Sequence, residues 1–112
     1  MDVQVIKQQE LPATDFGREL IGADHGDAGV SVILVEAPTG RGPELHKHPY
    51  EEIFILLEGE AAFVAGEREL HAAAGEIVIV PPETPHTFTN SGSGLLRQID
   101  IHVSPRFITD WL

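Results

Sequence analysis

The chain contains no cysteine. That one absence excludes disulfides, thiolate catalysis, zinc–thiolate sites and iron–sulfur clusters. Basic residues are scarce: 7 Lys and Arg stand against 18 Asp and Glu, for a formal net charge of −11. So acidic a surface repels phosphate backbones and anionic lipid, and neither nucleic acid nor a membrane is expected as a partner. Long hydrophobic runs are missing too. Ile77-Val78-Ile79-Val80 is far too short to span a bilayer. The opening residues, Met1-Asp2-Val3-Gln4-Val5, show no basic segment followed by an apolar stretch. No signal peptide is therefore expected, and a cytoplasmic location is. No DNA-binding segment is visible, which disfavours a one-chain transcription regulator.

What is present fits one globular domain over residues 1–112: 42% of the residues are hydrophobic and 22% charged. Short β-prone runs recur between Gly and Pro signals. They are Val30 to Val35, Ile53 to Leu57, Ala61 to Ala65, Arg68 to Leu70, Ile77 to Val80, Thr87 to Thr89 and Leu95 to Val103. Gly66-Glu67 reads as a hairpin turn, and the nearby Glu58, Glu60, Glu67 and Glu69 as its solvated face. Such spacing predicts an all-β sandwich or barrel with its core over about 30–103, preceded by a strand or loop region over 1–29. Helical patterning is confined to the end. Ser104 as N-cap and Pro105 at the first helical position predict a short helix over about 105–112, with Phe107, Ile108, Trp111 and Leu112 on one apolar face.

Histidine is the informative residue. His46 and His48 are two apart, so on a strand both imidazoles project from one face. Glu52 keeps the same parity, whereas Glu51 points away; a bulge at Pro49-Tyr50 would exchange the two glutamates. Two imidazoles and a carboxylate on one face are half of a metal site. His86 is the best further ligand, because Pro81, Pro82 and Pro85 stiffen the segment that aims it. His71 reads as a surface residue and His25 as part of an acidic loop.

At these residues the sequence resembles the cupin family. The family's first motif is met in full by Gly40, His46, His48, Glu52 and Gly59, a spacing that also rejects Glu51. The second is met by Gly75, Pro81, His86 and Asn90, with Glu83 standing where the motif has Gly. That departure bears on the local turn, since Gly serves where φ is positive, and removes no ligand. The resemblance implies a double-stranded β-helix, or jelly-roll barrel, holding one divalent metal per chain on His46, His48, Glu52 and His86. Fe, Mn, Ni, Co and Zn all suit this donor set.

Further residues are placed by parity. Phe54 and Leu56 follow the His-x-His face, and Phe88 follows His86, so all three are cavity-lining candidates. On the last strand Leu96, Gln98, Asp100 and His102 share one face, and Leu95, Arg97, Ile99, Ile101 and Val103 the other. Ordinary antiparallel alternation sends the polar set to solvent. The alternative is that Gln98, Asp100 or His102 lines the cavity or supports a ligand from behind.

Two functions follow. The favoured one is a metal-dependent enzyme acting on a small oxygen-rich organic molecule, with Glu52 as ligand or general base. The resemblance implies dioxygenase, isomerase, decarboxylase or cyclase chemistry. The other is a non-catalytic binding module for a metal or small metabolite. A homodimer is expected, because a small barrel has limited core and the C-terminal apolar residues need cover. The alternative interfaces are a sheet face and an N-terminal strand, Val3 to Lys7.

Overall fold

The computed structural model describes residues 2–112. Eleven strands run in chain order: β1 (Ala13–Thr14), β2 (Gly17–Leu20), β3 (Ser31–Ala37), β4 (His46–Lys47), β5 (Glu52–Glu58), β6 (Glu60–Ala65), β7 (Arg68–Ala73), β8 (Ile77–Val80), β9 (His86–Asn90), β10 (Leu96–His102) and β11 (Asp110–Trp111). They form two antiparallel sheets, ordered β1-β2-β3-β10-β5-β8 and β11-β4-β9-β6-β7. Sequential neighbours such as β3 and β4 lie in different sheets. The chain therefore winds between two facing layers, which is the jelly-roll arrangement.

The core lies between the layers. Alternate residues of β3, β5, β6, β9 and β10 point inward, as the period-two pattern requires. Phe54, Phe63 and Phe88 form its centre, with ring centroids 5.1–6.0 Å apart. Leu56, Leu96, Val35 and Ala61 pack around them. Two turns show why the motif residues are what they are. The β6–β7 hairpin closes over Gly66-Glu67, with Ala65 paired to Arg68 and Gly66 at φ +62°. Gly59 sits at φ +82°, and a Cβ there would lie 2.5 Å from the Leu95 carbonyl oxygen. Glu83 holds the motif's glycine position at φ +61°, so the turn keeps its left-handed conformation without Gly. A backbone bond from Glu83 N–H to the His48 carbonyl (2.7 Å) and a Lys47–Glu83 ion pair (3.1 Å) hold it there.

Three expectations are corrected. No helix forms at the C-terminus. Residues 103–109 are irregular, and β11 then pairs with β4 through Asp110–Lys47 and Trp111–His46. An edge strand with open hydrogen-bonding groups outweighs the propensity of a segment too short for a stable isolated helix. Val3 to Lys7 is exposed and in no strand. Finally, the polar face of β10 points inward: Gln98, Asp100 and His102 are buried, and Ile99 and Ile101 face out. Their registers place Gln98 beside Leu56, Asp100 beside Phe54 and His102 beside Glu52, all on inward positions.

The outer face of the larger sheet is consequently aliphatic. Two rows cross four strands: Leu34–Ile99–Ile55–Ile77 and Val32–Ile101–Ile53–Ile79. Ile77 and Ile79 are each 61% exposed.

Candidate metal centre

The chain changes sheets between His48 and Glu52, so these residues do not share one continuous strand. His46 is on β4 of the smaller sheet, directly paired with His86 of β9. Glu52 opens β5 of the larger sheet. The residues chosen by parity are nonetheless the ones that converge, because both sheets turn that face inward. Glu51 is exposed. His46, His48, Glu52 and His86 are all buried, and one ligand atom from each lies within 4.8 Å of the others.

Backbone carbonyls orient the imidazoles. His46 Nδ1–H donates to Glu44 O (2.6 Å), His48 Nδ1–H to Ile108 O (2.8 Å) and His86 Nδ1–H to Thr84 O (2.8 Å). A carbonyl only accepts, so each ring carries its neutral-state proton on Nδ1 and presents an Nε2 lone pair. The Nε2 atoms of His48 and His86 both lie 3.1 Å from Glu52 Oε1. His48 Nε2 has no aligned hydrogen-bond partner. Lone pairs thus face a carboxylate inside a buried site, an arrangement that needs a cation, either a proton or a metal ion, between them. Donor separations of 3.1 Å also match roughly 3.0–3.4 Å between ligand atoms held about 2.1 Å from one ion. The residues therefore form a group that can hold one metal ion.

Electrostatics agree. Burial alone would raise the Glu52 carboxyl, but contacts from His102, His48 and His86 outweigh it and hold the group well below the usual carboxylate range. Burial likewise lowers His86, yet the Glu52 carboxylate and the Thr84 carbonyl carry it above its ordinary 6.5. His46 falls below that value, chiefly through burial.

His102 completes the cluster from behind. Its Nε2 is 3.1 Å from Glu52 Oε2, and its Nδ1 is 2.8 Å from the Tyr50 hydroxyl. Tyr50 accepts the Ile108 N–H (3.2 Å), and burial pushes its phenol up to about 12, so the hydroxyl stays protonated. The C-terminal segment thereby grips the site twice through Ile108. It also lays Trp111 5.1 Å from the His46 ring and Phe107 4.8 Å from His102.

A cavity of about 510 Å³ opens beside these residues. Of the candidates, Phe54, Phe88, Asp100 and His102 line it. Leu56 instead packs in the core, and Gln98 reaches the cavity only by donating Nε2–H to Asp100 Oδ1 (2.9 Å). Burial, and then the Glu52 charge, raise the Asp100 carboxyl well above the usual range. Asn90 is a structural member of its motif: its amide donates to the Ala37 and Gly94 carbonyls. His71 is exposed, as expected, and His25 is partly exposed in its loop. Sequence reasoning missed Tyr50, Phe16, Ile33, Val35 and the Ile108 backbone. Tyr50 offered a signal, being two residues beyond His48; a backbone carbonyl offers none.

Comparison with known proteins gives the class. The family model for the cupin domain matches residues 33–102, and the chain belongs to the cupin family. An uncharacterized protein of Methanocaldococcus jannaschii is 37% identical over 72 residues, 62% of this chain and 58% of that protein. The HTH-type transcriptional regulator PuuR of Escherichia coli is 34% identical over 61 residues, 54% of this chain but 33% of the regulator. The chain thus spans little more than half of the first relative and a third of the second. Oxalate decarboxylase of Bacillus subtilis, a protein with Mn(II) centres, superposes with a TM-score of 0.81 at 21% identity, over 93% of this chain and 30% of its own. A double-stranded β-helix protein of Klebsiella pneumoniae superposes with a TM-score of 0.75 at 18% identity, over 97% and 96%. At such identities the likeness is one of fold. Among the described residues no helix is long and apolar enough to cross a membrane.

Proposed function

We propose that this cupin is a metal-dependent enzyme acting on a small oxygen-rich organic molecule, of the dioxygenase, isomerase or cyclase type. The supporting observation is a set of Nε2 lone pairs gathered around one buried carboxylate beside an apolar cavity. One divalent ion (Fe, Mn, Ni, Co or Zn) held by His46, His48, Glu52 and His86 supplies Lewis acidity toward a substrate oxygen. The chain's own residues do the rest. The Glu44, Ile108 and Thr84 carbonyls keep the imidazoles in the ligating tautomer. Glu52 stays ionised and serves as ligand or as acceptor of a substrate proton. Phe54 and Phe88 form an apolar wall of the cavity beside it.

The test is turnover. Protein loaded separately with each metal is offered enediols, flavonols and β-diketones while dioxygen uptake and products are followed. Conversion in at least one form, lost in the His46→Ala/His48→Ala double variant, supports the enzyme. Melting shifts with ligand but no turnover in any form support a second reading, a ligand-sensing module. The likeness to part of PuuR favours that reading.

The chain acts as a homodimer in this proposal, and the interface moves from the C-terminus to the aliphatic sheet face. A chain of net charge −11 meets its own copy with least repulsion where charge is absent. The two rows from Val32 and Leu34 to Ile79 and Ile77 form such a surface. Four strands about 4.8 Å apart and at most about 24 Å long give no more than roughly 450 Å² in plan, about half of the ~800 Å² per partner in a standard interface. Sedimentation of the wild type and of Ile77→Lys/Ile79→Lys tests it. Dimer becoming monomer supports this face, and a monomeric wild type at tens of micromolar refutes it.

A further inference from the structure

The cavity's chemistry restricts what it can hold. Among the described residues that line it there is no Lys or Arg. The Arg41 guanidinium lies over the Phe16 ring at 5.4 Å and lines a neighbouring groove. The carboxyl-bearing residues Asp15, Glu19, Glu52 and Asp100 do line the cavity. A dianion entering here would meet no Lys or Arg side chain, and a metal ion offset by Glu52 would leave a net single positive charge for it. The walls are apolar and partly aromatic: Phe16, Ile33, Val35, Phe54, Phe88 and Phe107. At about 510 Å³ the space suits roughly a dozen to fifteen non-hydrogen atoms, so a small dicarboxylate would leave about half of it unfilled.

One polar group in this wall is only half used by the fold. Asp100 is 2% exposed and lines the cavity. Its Oδ1 accepts from Gln98, which fixes the plane of the carboxyl and leaves Oδ2 for a ligand. Gln98 Oε1 is itself buried without a partner, so the pair is not a closed unit. Burial, and then the Glu52 charge, disfavour its ionised form, and the protonated carboxyl has a hydrogen bond to offer the cavity it lines.

We infer that the cavity takes a molecule with an aromatic or branched apolar body and one uncharged hydroxy-carbonyl head. The head faces the His46–His48–Glu52–His86 cluster, and Asp100 donates a hydrogen bond to it. The body packs on Phe54, Phe88 and their neighbours. A small dianion such as oxalate is excluded. The inference rests on the site being the one proposed above, but the body preference belongs to the walls and does not need the metal.

Three probes separate these points by calorimetric titration: α-hydroxyacetophenone; hydroxyacetone, which has the same head without the ring; and oxalate. Each is titrated into Zn(II)-loaded and metal-free protein, with bound zinc measured independently. The ring compound is expected to bind at least ~10-fold more tightly than hydroxyacetone, as burial of a phenyl group provides. It is also expected to bind more tightly than oxalate. Asp100→Leu should weaken it about 3–10-fold, and Asp100→Asn, which keeps a donor, by less than about 2-fold. Absence of bound zinc with the ring preference intact would remove the metal reading and leave this one standing. Oxalate binding more tightly, no gain from the ring in either form, or no binding of α-hydroxyacetophenone overturns the inference.

Discussion

Lowering the pH should strip the stability that metal binding adds, and the structure sets how fast. His86 holds a proton more strongly than an ordinary imidazole, because the Glu52 carboxylate 3.1 Å from its Nε2 carries it above 6.5 despite burial. That proton must leave before Nε2 can bind a metal ion, so affinity falls tenfold per pH unit below the His86 value. From pH 6.5 to 5 this one proton costs up to ~30-fold, or about 2 kcal/mol. His46, lowered chiefly by burial, adds its own loss only further down. Glu52, held far below the usual range, stays ionised across this window. Metal at ~100 times its Kd at pH 6.5 stabilises by about 2.7 kcal/mol; a 30-fold weaker Kd at pH 5 leaves about 0.9 kcal/mol. For a domain of this size that is a Tm increment of roughly 11 °C shrinking to roughly 4 °C. The metal-free protein moves oppositely. A histidine raised in the folded state adds stability below its unfolded value and loses it as pH rises through the folded one. The curves with and without metal should therefore converge on acidification. Scanning calorimetry at pH 7, 6 and 5, with fixed free metal and with chelator, reads this directly. A metal-induced increment that stays constant from pH 7 to 5 would refute the three-imidazole site.

Other outcomes follow from the same geometry. The His46→Ala/His48→Ala double variant should fall from one bound metal per chain to none by elemental analysis, and retained stoichiometry would disprove the assignment. Glu83→Gly should change stability by less than about 1 kcal/mol in denaturant titration. Release from the left-handed region (about 1–2 kcal/mol) is offset by glycine's unfolded-state entropy and a lost exposed ion pair. A loss above 2 kcal/mol would show that the Glu83 side chain does more than this. Removing residues 106–112 deletes the Ile108 carbonyl behind His48 and the Trp111 ring beside His46, and should weaken metal binding about 10–100-fold by equilibrium dialysis. Unchanged affinity would show that the C-terminal segment is only a cover.

The β-rich class and the four candidate ligands were legible without coordinates, because both rest on local rules. Period-two alternation and Gly/Pro punctuation mark strands, and two spacings select His46, His48, Glu52 and His86 while rejecting Glu51. Residues 46–52 are not one strand, because the chain passes between sheets there, and the inward facing of both layers restores the parity. What the sequence could not decide were matters settled by distant partners. Ser104 and Pro105 favour a helix start, yet the open edge of β4, some sixty residues earlier in the chain, recruits Asp110 and Trp111 as a strand. The amphipathic β10 reads equally well either way round. Its polar face turns inward because Glu52 and Tyr50 meet His102 there and Asp100 meets the cavity, while its isoleucines extend an aliphatic face made by three other strands. Alternation along one strand determines that two faces exist; which of them is the inside is decided only when the neighbouring strands supply partners for the buried polar groups.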